Sequence, residues 1–126
     1  MSRVFDIKVG TDALALVEFR YPAATKGPDR HVHHEHSDGF YVLEGELTIE
    51  VADQTVRAGP GWFVMAPPGV VHTFRNDSSG EARFLNMHVP SMGFHEHLEG
   101  RLEDFDQHEP PDDGGLPASE AMIRPA

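Results

Sequence analysis

The sequence predicts an all-β domain, a sandwich or small barrel, with a short helix near its C-terminal end. Three observations carry that reading. Up to about residue 89, short runs alternate apolar and polar side chains, as in Leu47-Thr48-Ile49-Glu50-Val51. Glycine and proline turns separate the runs. After Pro90 the apolar residues change to helical spacing.

Taken in order, Ala13–Tyr21 is an apolar, partly alternating strand, long enough to serve as an exposed sheet edge. Lys26-Gly27-Pro28 is a turn. Phe40–Leu43 is an aromatic, branched strand that ends at Glu44-Gly45, where a tight turn favours a positive φ. Leu47–Val51 follows, and Gly59-Pro60-Gly61 turns the chain again. Pro67-Pro68-Gly69 delivers a strand over Val71–Arg75, with His72 and Phe74 facing in and Thr73 and Arg75 facing out. Beyond the turn Asn76–Gly80, Arg83–Val89 places Phe84, Asn86 and His88 on one face and Leu85, Met87 and Val89 on the other. Ser91 is a suitable helix cap. Phe94, Leu98, Leu102 and Phe105 form one stripe, predicting a helix over 94–105. Residues 106–126 are rich in proline, glycine and acid and read as a tail. Its Leu116, Met122 and Ile123 are apolar enough to dock on the barrel or on a partner copy, against the competing outcome of disorder.

Composition narrows the function. A chain of 126 residues fits one domain. It has no cysteine, which suits a reducing compartment. The start, MSRVFDIKVG, lacks the apolar run of a signal peptide, and no stretch approaches the roughly 20 apolar residues of a membrane helix. The expectation is a soluble, cytoplasmic protein. Ten basic against 21 acidic residues give a formal charge of −11, which argues against general nucleic-acid binding. No DNA-binding helix-turn-helix precedes the barrel in the sequence, which argues against a self-contained transcription factor.

The chemistry concentrates in HVHHEHSDGF, with His31, His33, His34 and His36, together with Glu35 and Asp38. His31 and His33 are two apart, so in an extended chain both point into the barrel while Val32 points out. His31-Val32-His33, then Asp38, then Gly45 seven positions on, resembles the first motif of the cupin superfamily. Gly61, Pro67, Gly69, His72 and Asn76 match the second motif at every fixed position, and the 15 residues between the motifs are the short gap of compact bacterial members. The resemblance is to small, single-domain, quercetin-dioxygenase-like cupins. It implies a double-stranded β-helix of jelly-roll type. Residues 1–105 would be the domain, with motifs at 31–45 and 61–76, and 106–126 the tail.

It further implies one divalent metal ion (Fe, Mn, Ni, Zn, Co or Cu) held by His31, His33, Asp38 and His72. Asp38 departs from the usual glutamate and is one methylene shorter. It ligates if the backbone comes closer. Otherwise it stands behind three histidines, as in cupins that resemble thiol and diketone dioxygenases, and orients a water or acts as a base. Glu35 has the wrong spacing to Gly45. His34 and His36 fall in the connecting loop and read as exposed; the sharper alternative is a proton relay at the barrel mouth. Phe40, Val42, Met65 and Phe74 are expected as pocket walls, with Asn86 and His88 touching substrate if their face lines the pocket. Trp62 and Phe63 read as core, His95 and His97 as surface.

The function implied is a mononuclear metal dioxygenase, an oxidoreductase acting on a small, partly apolar substrate. The alternatives are a metalloenzyme that does not use oxygen, such as an isomerase or cyclase, and a non-catalytic binding module. A homodimer is expected, because pairing would cover an edge strand.

Overall fold

A computed structural model of the chain describes residues 4–126. The strands are β1 (Val4–Gly10), β2 (Ala15–Tyr21), β3 (Thr25–Lys26), β4 (Ser37–Glu44), β5 (Leu47–Val51), β6 (Gln54–Ala58), β7 (Phe63–Ala66), β8 (His72–Asn76), β9 (Ala82–Val89) and β10 (Met122–Arg124). They form two antiparallel sheets, one ordered β1-β2-β9-β4-β7-β10 and the other β3-β8-β5-β6. The helix α1 spans Phe94–Leu98.

Alternation sets what lies between the sheets. Phe19, Tyr21, Phe40, Phe84 and Phe74 meet in an aromatic cluster, with ring centroids 4.8–6.4 Å apart across its pairs. Leu47, Ile49 and Val51 close it from the second sheet, each fully buried. Full burial of such side chains contributes roughly 1.5–3 kcal/mol apiece. The inward stripe of β9 runs from Ala82 and Phe84 to Asn86 and His88, and that of β4 from Val42 and Phe40 to Asp38. Antiparallel register sets Asp38 against His88 and Val42 against Phe84. One end of the barrel is therefore apolar and filled, and the polar ends of both strands meet at the other.

Gly45 has φ +77°, and a Cβ there would lie 2.3 Å from the Glu81 carbonyl, so both conformation and space require glycine. The buried Asn76 amide reaches the carbonyls of Tyr21, Pro22 and Gly80 at 2.9–3.0 Å and clamps the β8–β9 turn.

Several expectations change. β1, β3, β6, β7 and β10 lie outside the strands read from the sequence. Because β1 pairs with β2, Ala15–Tyr21 is an interior strand and not the exposed edge; β1 is. The helix expected to run to Phe105 ends at Leu98. Gly100 takes φ +75°, and the chain turns back so that Leu102 packs over Gly93 and Phe105 enters the core. Val32 does not face solvent: its backbone exchanges two hydrogen bonds with His108 and its side chain is buried. The tail packs on the barrel. Leu116 donates to the Gly69 carbonyl, and β10 adds itself to the edge of β7.

Candidate metal centre

His31, His33, Asp38 and His72 converge at the polar end. All four are buried, and one ligand atom from each lies within 4.8 Å of those of the others. His31 reaches the site from an isolated bridge to His72. His33 follows two residues later, Asp38 comes from β4, and His72 opens β8. Glu35 is exposed and turned away.

The ring contacts fix the tautomers. His31 Nδ1 lies 2.7 Å from the Asp29 carbonyl, His33 Nδ1 2.6 Å from that of Asp106, and His72 Nδ1 2.9 Å from that of Val70. A carbonyl oxygen only accepts, so each Nδ1 carries the hydrogen, and in the neutral ring Nε2 presents a lone pair. Yet Nε2 of His33 and of His72 lie 3.2 and 2.9 Å from Asp38 Oδ2. Lone pairs facing a carboxylate call for a positive charge between them, which a proton or a metal ion supplies. Three imidazole nitrogens and one carboxylate oxygen form a mixed donor set suited to a first-row divalent metal, and the residues present fit such an ion.

Charge follows the same pattern. Burial opposes ionisation of Asp38, but His88, His33 and His72 outweigh it and hold the carboxyl well below its usual range. Burial also opposes a charge on His33, yet Asp38 and Asp106 raise its pKa. Burial, with His72 alongside, lowers His31 to about 4.

A second chain of contacts leads away from Asp38. Asn86 Nδ2 donates to Asp38 Oδ1 at 2.6 Å and to the Gly39 carbonyl at 2.9 Å, which orients the amide. Asn86 Oδ1 therefore accepts from His88 Nε2 at 3.0 Å. His36 bridges His88 Nδ1 and Asp106 Oδ2, each at 2.8 Å. Three contacts along this path need three ring protons, and two neutral imidazoles carry two. The central nitrogen pair is the place where a third enters. Burial resists it on both rings, lowering His36 and taking His88 to about 3.

The family profile of the cupin domain matches residues 17–88, more than half of the chain. The chain belongs to the cupin family. Quercetin 2,3-dioxygenase of Bacillus subtilis (strain 168) is 32% identical to it over 97 residues, which are 73% of this cupin and 27% of that protein, so the chain spans about a quarter of the relative's length. A Klebsiella pneumoniae protein with a double-stranded β-helix domain superposes with a TM-score of 0.64 at 19% identity, covering 86% of this cupin and 85% of that chain. A cupin-superfamily sugar phosphate isomerase from Silicibacter pomeroyi DSS-3 gives 0.62 at 24% identity, covering 70% and 59%. The two structures share the fold.

Beside the four converging residues lies a cavity of about 270 Å³. Asp38, Asn86 and His88 form its polar wall, with His31, and Phe19, Phe74 and Phe94 its apolar one. Other expected pocket residues sit elsewhere. Phe40 and Val42 are sealed in the core. Met65 is on the outer face of its sheet, where it covers Gly39 beside Met87, because β7 turns Val64 and Ala66 inward.

The histidines also redistribute. His34 is exposed and stacks on His108 at 3.9 Å. His36 is buried, which corrects its reading as an exposed loop residue. The signal was the parity of β4: 36, 38, 40 and 42 share a face. His97 is half-buried, stacks on Phe105 and lines the cavity, and His95 packs beneath Gly10, so neither is a plain surface residue. Asp106 had no sequence signal beyond its place after the apolar Phe105.

Proposed function

We propose that this cupin is a mononuclear metal-dependent enzyme, dioxygenase-like, acting on a small, partly apolar organic substrate. The observation that carries the reading is the set of three Nδ1-anchored imidazoles around Asp38, opening onto a cavity with an aromatic wall. The likeness to a quercetin 2,3-dioxygenase supports the oxygen chemistry. His31, His33 and His72 would hold one divalent ion, with Asp38 as fourth ligand or as the base beside it. The ion, when bound, would act as a Lewis acid toward an enolate or hydroxyl oxygen. The chain's own groups do the rest. Phe19, Phe74 and Phe94 exclude water and seat the apolar part of the substrate. Asn86 holds Asp38 in one rotamer. His88 and His36 pass a proton between the cavity and Asp106.

That buried path also favours a second reading, an isomerase or cyclase, whose reaction is proton transfer without oxygen. One experiment separates them. Protein purified without chelator is assayed for metal, and oxygen uptake is followed with small enolic and hydroxylated substrates. We expect about one metal per chain and oxygen consumption that is lost in His72→Ala. Metal content of His72→Ala equal to the wild type would refute the ligand set. Bound metal without oxygen uptake, but with solvent deuterium entering a substrate, would favour the second reading. The active form is a homodimer joined along β1, one of the two edge strands of the larger sheet.

A further inference from the structure

We propose that Asp106, from the C-terminal segment, is a positioning residue of the metal centre and acts on it from two sides. The inference rests on the metal reading above. Its backbone carbonyl accepts from His33 Nδ1 at 2.6 Å and so aims Nε2 of that ring inward, 73 positions earlier in the chain. Its carboxylate accepts four contacts. Oδ1 takes the His34 amide and His108 Nε2, both at 2.9 Å. Oδ2 takes the Glu35 amide and His36 Nδ1, both at 2.8 Å.

Three of these partners, His34, Glu35 and His36, lie in the loop between two of the residues that would hold the ion, His33 and Asp38. One carboxylate therefore pins three consecutive residues of that loop. It also satisfies two backbone N–H groups that no strand would serve. Through His36 the grip continues to His88 and Asn86, and Asn86 orients Asp38 Oδ1. The inward aim of His33 and the rotamer of Asp38 thus both trace to one side chain and its own carbonyl. Holding the tail needs none of this: the Val32–His108 pair, the Gly69–Leu116 bond and β10 on β7 already anchor it. The Asp106 side chain is 7% exposed, so water does not replace these bonds.

Cobalt(II) titration of the full chain tests the inference. Asp106→Asn keeps the size but sets an amide NH2 against the Glu35 N–H and His36 Nδ1–H. Partners that orient metal ligands typically matter 10–100-fold in affinity. We expect Asp106→Asn to bind cobalt about 10–100-fold more weakly, with an altered visible spectrum. His108→Ala removes one of the four carboxylate contacts and the stack on His34, and leaves Asp106 its three loop contacts and position 108 its backbone pair with Val32. It should lower Tm while keeping cobalt affinity within about three-fold and the spectrum unchanged. Should Asp106→Asn not fold, Asp106→Ser replaces it under the same criteria. Wild-type affinity and spectrum in the Asp106 variant would overturn the inference. So would an equal loss in His108→Ala, which would place the cause in the C-terminal segment at large and not in the three loop contacts of Asp106. A wild-type protein that binds no cobalt would instead sink the metal reading itself, and this inference with it.

Discussion

Asp38 carries the negative charge of the candidate centre, and its place on β4 separates it from its neighbour Glu35. The inward parity of β4 puts Asp38 between His33 and His72, whereas Glu35 faces solvent. Asp38→Ala should therefore weaken metal binding at least about ten-fold, while Glu35→Ala should leave it unchanged, both read by competition with a chromophoric chelator. The reverse ranking would mean that the wrong carboxylate has been chosen. Titration yields another expectation for the metal-free protein. Folded His31 and His88 protonate only near 4 and 3, against an ordinary 6.5. As pH falls from 6.5 to about 4, the unfolded chain takes up protons that these two rings refuse, so stability falls with pH across that window. The slope is about 1.4 kcal/mol per pH unit for each group. His33 runs the other way. Its raised pKa gives stability that is complete below 6.5 and is lost as pH rises through the folded value. Asp106 adds an acid limb: its carboxyl is depressed, so its contribution disappears as pH drops below about 3.8. Tm of the chelated protein, followed by circular dichroism, should therefore decline from pH 6.5 to 4.5. A flat or rising profile would refute the burial of two neutral histidines.

At the scale of elements, turns and edges do most of the specifying. Gly45 links β4 to β5 at φ +77° against the Glu81 carbonyl. Gly45→Ala is expected to cost at least about 1–2 kcal/mol from the left-handed backbone alone, measured by urea denaturation. The C-terminal segment acts through β10, which covers the apolar edge of β7 along Phe63–Met65. A chain shortened after Gln107 keeps Asp106 but leaves that edge bare. Its Tm should fall and it should self-associate at high concentration, seen by light scattering. If it keeps both the melting temperature and the solution mass of the full chain, the segment contributes nothing to the barrel. The helix teaches a related lesson. Phe94, Leu98, Leu102 and Phe105 have helical spacing and Phe94 and Phe105 are buried, yet only Phe94–Leu98 is helical. A stripe reports which side chains seek the core, and a glycine in the left-handed region decides where the helix stops.

For the whole molecule, edges and charge set the behaviour in solution. β1 presents an open edge, with Val4 55% and Phe5 41% exposed, and Phe5 also borders the cavity. Pairing of two copies along β1 would cover it, and the homodimer reading predicts twice the chain mass in light scattering at micromolar concentration. A monomer would remove that claim. No helix among the described residues is long and apolar enough to cross a membrane.

The sequence by itself determined the barrel and the residues that meet at its polar end. Strand alternation has period two, and the two spaced motifs put His31, His33, Asp38 and His72 on inward positions. Both are local properties, legible without knowing which strand lies beside which. Parity likewise offered Asn86 and His88, and would have offered His36 had the strand read at Phe40–Leu43 been extended back to that residue. Tertiary structure alone decided the rest. Met65 left the pocket because the register of β7 on β4 turned Val64 and Ala66 inward. Ala15–Tyr21 became an interior strand because β1 claimed its free side. Asp106 reached His33 and His36 because the chain doubled back over the barrel mouth after Gly100. Contacts between residues some 70 positions apart leave no periodic trace in a sequence, since they depend on where two separately formed elements come to rest.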